Sequence, residues 1–270
     1  MGILVLGFIG AGRVGCSLAR YFYDNGVTVA GVYTRGENRS GFSSFCSADE
    51  LVRSCDTVFI TVNDAAIAEV WHGIGADAAD GRVICHCSGS AASDIFEGAD
   101  EELVCSVHPM LAFSSKETSA EQIRRAFFTL EGGSSAVMRM TELLDSCGNE
   151  YKIISRDCKP LYHAAACFAS NLVTAVCSEA LELMRKCGFS NNEALEALTP
   201  LIEENVRNIC EKGIKQSLTG PVSRGDAVTV SEHLRALDGR QRDIYIQLSR
   251  VLAELSGHTE LADLLSGEDR

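Results

Sequence analysis

The sequence holds twelve cysteines but no CxxC pair, an absence that removes zinc ribbons and thioredoxin-like dithiols from consideration. Its densest cluster, Cys85-His86-Cys87, alternates along a strand-like run. The histidine then faces away from both cysteines, a poor start for a tetrahedral site, and no metal is expected. Positive charge is also short: 24 Lys and Arg stand against 37 Asp and Glu, a formal net charge of −13, with a pI near 4.9. Nucleic acids and anionic membranes both need a basic face, so neither is an expected partner. No apolar run approaches the roughly 20 residues that span a bilayer. The first strand-like run starts at Ile3, so no secretory leader is expected. Scattered free cysteines fit a reducing cytoplasm.

What is present is enough apolar residue, 46% of 270, to bury a core in each of two domains. Short runs rich in Val, Ile and Phe recur at Ile3–Ile9, Val27–Tyr33, Thr57–Val62, Arg82–Cys87, Leu103–His108, Ala126–Glu131 and Tyr151–Ile154. Helical stretches such as Val14–Asn25 and Ala136–Cys147 lie between many of them, the alternation of an α/β, doubly wound, mostly parallel sheet. Beyond Arg156 no strand-like run follows. Residues 159–187 predict one long helix ended by Gly188, Ser190 caps a helix to Lys212, and helices resume from Thr229 after Gly220-Pro221. The expected division is therefore an α/β domain over 1–155 and a helical domain over 156–270.

The sharpest motif is Gly10-Ala11-Gly12-Arg13-Val14-Gly15, which leaves an apolar strand and opens an amphipathic helix. Gly10 allows the tight turn, Gly12 lets backbone approach a pyrophosphate, and Gly15 lets helix and strand pack closely. Backbone amides at the helix start then meet the phosphates. Where an NAD site places a carboxylate at the end of the second strand, this chain reads Tyr33-Thr34-Arg35, with Arg39 shortly after. Thr34 can donate to a 2′-phosphate and Arg35 can neutralise it, so NADP(H) is the expected cofactor. Asn63 and Ser88, at the ends of the next two strands, are candidates for the nicotinamide ribose; Asn and Ser serve ordinary turns equally well.

On the substrate side, His108 ends a strand at the same edge and is placed to bind substrate or relay a proton. His163, Cys167 and Asn171 follow at spacings of four, one face of the long helix. Arg224 and Asp226, in a loop carrying Gly220, Pro221 and Gly225, are placed to close over a carboxylate.

Taken in order, Gly10 to Gly15, His108-Pro109, Tyr162-His163-Ala164-Ala165-Ala166 through Asn171, and Gly220-Pro221 through Asp226 resemble the Rossmann-like proteins with a C-terminal helical domain of unknown function. That family is similar to pyrroline-5-carboxylate reductase, ketopantoate reductase and the β-hydroxyacid dehydrogenases. The resemblance implies a Rossmann domain, an all-helical domain like that of 6-phosphogluconate dehydrogenase through which two copies dimerise, and NADP-dependent redox chemistry. One departure matters. β-Hydroxyacid dehydrogenases carry a catalytic lysine four residues before the helix asparagine, and here that position is Cys167. The expectation is hydride transfer to or from a small carbonyl or imine bearing an acidic group, with Asn171 orienting it, His163 or His108 handling a proton and Arg224 binding the acid. The alternative is a non-catalytic NADP-binding sensor or scaffold.

Overall fold

In the computed structural model, residues 4–38, 40–113 and 118–266 are described. Ile3 and Arg39 lie outside them. Two compact units divide the chain, Met1–Asn171 and Leu172–Arg270.

The first unit is built on seven strands: β1 (Val5–Ile9), β2 (Thr28–Tyr33), β3 (Thr57–Ile60), β4 (Val83–His86), β5 (Val104–Pro109), β6 (Phe128–Gly132) and β7 (Tyr151–Ile153). They lie in the order β2-β1-β3-β4-β5-β6-β7. All neighbours are parallel except β5 and β6. Each expected apolar run therefore became a strand. The sheet-side helices are α1 (Arg13–Asp24), α2 (Ala48–Arg53), α3 (Ile67–His72), α4 (Ala76–Ala79), α5 (Ala120–Arg124) and α6 (Ser134–Cys147).

Strand side chains alternate between the two faces, and the alternation sorts the core into two layers. Leu6, Phe8, Val83 and Cys85 pack with Leu18 and Phe22 of α1 and Met140 and Leu144 of α6. Ile9, Val58, Ile60 and Ile84 pack with Leu51 of α2 and Ile67 and Trp71 of α3. Because β2 and β3 lie on opposite sides of β1, the chain reverses direction across the sheet there, and a crevice opens at the carboxyl ends of the strands.

After β7 the chain is helical: α7 (Lys159–Ala169), α8 (Asn171–Lys186), α9 (Asn191–Lys212), α10 (Gly220–Ser223), α11 (Ala227–Ala236) and α12 (Gly239–Ser256). The expected single helix over 159–187 is two. Ser170 leaves helical geometry at φ −128° and ψ −81°, and Ser and Asn side chains compete for backbone bonds that would continue a helix. Ser190 caps α9 as expected, with Glu193 completing a reciprocal capping box. The core of the second unit gathers Val222, Val230, Leu234, Ile246 and Leu261. By contrast α8 buries no residue and α9 only Ala194. Within Arg156–Lys186 an 18-residue window reaches a mean hydropathy of 1.4, apolar enough to cross a membrane by length and composition alone, although Ser170 divides the stretch between α7 and α8.

A dinucleotide cavity and a histidine cluster at the strand ends

The turn from β1 to α1 is shaped by two glycine requirements. Gly10 takes φ +108°, which side chains rarely adopt, and its N–H donates to Tyr33 O at 2.8 Å, tying the turn to β2. At Gly15 a Cβ would overlap Gly10 O and Thr61 Oγ1, so the helix can approach β3 only without one. Gly12 is different. Its φ is −80°, and an added Cβ would meet nothing closer than Thr61 O at 3.9 Å. The fold tolerates a side chain here; the space in front of the turn is what glycine keeps open. Gly12 caps α1 without any side-chain hydrogen bond, which leaves the first amides of the helix directed outward.

A cavity of about 690 Å³ opens over this turn, a volume suited to a nucleotide-sized ligand. Gly10, Ala11, Gly12, Thr34, Arg35 and Asn63 line it together, with Glu37 and Glu69. Arg13 and Val14 follow Gly12 as the first residues of α1. The Arg35 guanidinium pairs with Glu69 at 3.2 Å, both groups exposed. Asn63 makes no side-chain capping bond to the turn it precedes.

From this cavity a chain of contacts runs along the strand ends. Asp64 accepts from Ser88 Oγ at 2.6 Å, and Ser88 Oγ in turn accepts from the N–H groups of Ser90 and Ala91. The Ser88 hydroxyl thus shapes the turn after β4. Gly89 follows, packed between two rings: a Cβ on it would lie 2.6 Å from His163 Nδ1 and 2.9 Å from His108 Nε2.

His108 Nδ1 lies 2.6 Å from Tyr162 Oη. Burial, with help from the Lys159 charge and then the His163 ring, lowers the His108 pKa to about 4, while burial raises that of Tyr162. At neutral pH both are uncharged. With the Tyr162 hydroxyl donating to Nδ1, the His108 proton stands on Nε2, beside Gly89. His163 Nδ1 is buried without a hydrogen-bond partner, and its Nε2 lies 3.7 Å from Cys167 Sγ. The helix break at Ser170 separates exposed Asn171 from this pair, so the expected three-residue face holds for His163 and Cys167 alone. In the second unit Asp226 caps α11, accepting from Thr229 N and Oγ1, and this capping lowers its pKa. Arg224 sits at the end of α10.

Sequence reasoning passed over Lys159, Asp64 and Glu69 as site residues. Only Lys159 left a trace: a lone cation at the start of an apolar helix, where the helix dipole disfavours it.

A doubly wound sheet with a glycine turn under a nucleotide-sized cavity at its switch point defines a Rossmann-type dinucleotide-binding protein. The comparisons narrow this. The chain belongs to the family of the NAD binding domain of 6-phosphogluconate dehydrogenase, whose profile matches residues 5–154, and it is an NAD(P)-binding protein of oxidoreductase type. Residues 126–252 match the domain of unknown function DUF2520. Protein TM1727 from Thermotoga maritima is similar at 25% identity and a TM-score of 0.76, over 94% of this chain and 99% of that one. Pyrroline carboxylate reductase from Plasmodium falciparum, solved with NADP bound, is 14% identical with a TM-score of 0.61, over 95% and 99% of the two chains. An imine reductase from Myxococcus stipitatus in complex with NADP+ is 14% identical with a TM-score of 0.61, over 96% and 94%. The last two share the fold. Among curated proteins no match is found.

Proposed function

We propose that the protein is an NADP(H)-dependent oxidoreductase acting on a small carbonyl or imine that carries an acidic group. The observation that carries this reading is the continuous path from the cavity through Asn63, Asp64, Ser88 and Gly89 to His108. Adjacent strands are about 4.8 Å apart, so β2 to β4 spans roughly 14 Å, a distance suited to an extended dinucleotide laid across the strand ends. Thr34 and Arg35 would hold the 2′-phosphate, the Gly10–Gly12 turn with the amides of Arg13 and Val14 the pyrophosphate, and Asn63 the nicotinamide ribose. When bound, the nicotinamide supplies or accepts the hydride.

His108 does the protein's share of the chemistry. Its Nε2–H polarises the carbonyl oxygen or imine nitrogen and delivers a proton to it as hydride arrives at carbon. The Tyr162 hydrogen follows onto Nδ1; its return to Tyr162 and a solvent proton taken up by Nε2 restore the pair. His163 walls the site across Gly89. The test is NADPH consumption across a panel of small carbonyls and imines. His108→Ala should cost about 10²-fold in turnover and leave NADPH affinity unchanged. Tight NADPH binding without turnover anywhere on the panel would reject the enzyme in favour of an NADP-binding sensor, a reading that Cys167 at the lysine position favours. The same proposal includes a homodimer formed through the helical unit and a cytoplasmic setting, the latter supported by twelve free cysteines.

A further inference from the structure

Lys159 opens α7 with its side chain turned inward and is 1% exposed. An ammonium there loses its water and stands at the positive end of a helix. Something specific must hold it. Nζ donates to Ser88 O at 2.9 Å and to Ser106 Oγ at 2.5 Å, and Ser106 Oγ itself donates to Ser88 O at 3.2 Å. Burial pulls the Lys159 pKa down to about 8 against the opposing influence of Glu131, Asp64, Cys87 and Cys105. The neutral rings of His86 and His108 also feel its charge.

All polar atoms of Ser88 are thereby engaged. Its N–H donates to His86 Nδ1, its hydroxyl serves Asp64, Ser90 and Ala91, and its carbonyl is drawn toward Lys159 and Ser106. The described chain has no cis peptide. Across a trans peptide the carbonyl and the next N–H point in opposite directions. A Ser88 carbonyl fixed inward therefore turns the Gly89 N–H away from Lys159, at a residue where any Cβ would crowd the His108 and His163 rings.

We infer that Lys159 is a positioning residue: by locking the Ser88–Gly89 peptide it presents the Gly89 amide as a hydrogen-bond donor to the carboxamide on the nicotinamide ring. The inference rests on the reading that the nicotinamide half of the cofactor lies at this edge.

The experiment uses the full chain and two ligands, NADPH and adenosine 2′,5′-bisphosphate, which keeps the 2′-phosphate but lacks the nicotinamide. Calorimetry should show the wild type binding NADPH more tightly than the fragment. Lys159→Met should lose about tenfold in NADPH affinity, or about 1.4 kcal/mol, with fragment affinity unchanged. In the same variant the His86 and His108 resonances should titrate at higher pH than in the wild type, because a neighbouring positive charge is gone. Ser106→Ala, which creates no unpaired buried charge, should show the same selective loss at about threefold, and it carries the test if Lys159→Met does not fold. Equal losses for both ligands, or no loss for either, overturn the inference. Equal wild-type affinity for the two ligands overturns the reading of the nicotinamide edge and the inference with it.

Discussion

His86 shows how much of the site depends on single uncharged side chains. It is fully buried. Its Nδ1 accepts from Ser88 N–H at 3.1 Å, and its Nε2–H donates to Ala92 O at 3.2 Å. A proton on Nδ1 would face another N–H, and burial together with Lys159 lowers the pKa to about 4. The folded protein therefore binds this proton less readily than the unfolded chain, whose histidine titrates near 6.5. The contribution is whole above pH 6.5 and is lost as pH falls toward 4, at about 1.4 kcal/mol per unit and up to about 3 kcal/mol in all. Urea unfolding midpoints should drop across that window. His108, lowered to about 4 as well, adds a loss over the same window, so His86→Gln should roughly halve the drop even where it lowers stability at pH 7, and an unchanged slope would mean His86 is not responsible. Arg35 invites a separate test on the cofactor. Its exposed pairing with Glu69 contributes little to stability, so the guanidinium is readily recruited by a phosphate. Arg35→Ala should weaken NADPH binding about tenfold and leave NADH binding as it was; parallel losses would remove the preference for the phosphorylated cofactor.

The strand-to-helix turn is the element in which binding and folding can be separated by choice of glycine. Gly15 fills a place where β3 and the turn backbone leave no room for a methyl group. Gly15→Ala should lower the thermal midpoint and impair binding through the displaced helix. Gly12 meets no such wall, so Gly12→Val should keep a wild-type midpoint while losing NADPH by at least tenfold; retained affinity in that folded variant would refute a pyrophosphate site at this turn. This element was legible beforehand because its logic is local: six consecutive residues set φ, spacing and helix entry. The strands were legible for a similar reason, since buried parallel strands read as short apolar runs. The break at Ser170 was not, because an alanine-rich run precedes it and the apolar pattern continues without a glycine or proline after it. Lys159 was not either. Its partners Ser88 and Ser106 stand 71 and 53 residues away, and only the parallel order of β4 and β5 brings them beneath α7. His108 could be placed at a strand end from its position alone, whereas its bond to Tyr162 depends on how α7 returns to the sheet.

At the scale of the whole molecule the unresolved demand is apolar surface. Over its 16 residues α8 has none buried, and α9 has one in 22. Leu172, Val173, Val176, Leu195, Leu201 and Val206 are all exposed, far more than scattered surface leucines require. The two helices are roughly 24 and 33 Å long, enough to supply the 1,200–2,000 Å² that a stable interface commonly buries. The proposed homodimer would cover them, because a symmetric pairing supplies a partner with the same apolar rows. A bilayer fits poorly: within α8 the apolar positions share the helix with Glu179, Glu182, Arg185 and Lys186, and Glu179 is paired with Arg240 at 2.8 Å. Sedimentation should show a dimer at micromolar concentration. Leu201→Glu, at a position 68% exposed, should shift it to monomer without changing the far-ultraviolet dichroism. A wild-type monomer at all concentrations, or a chain that pellets with neutral lipid vesicles instead of pairing, would assign that surface to another partner.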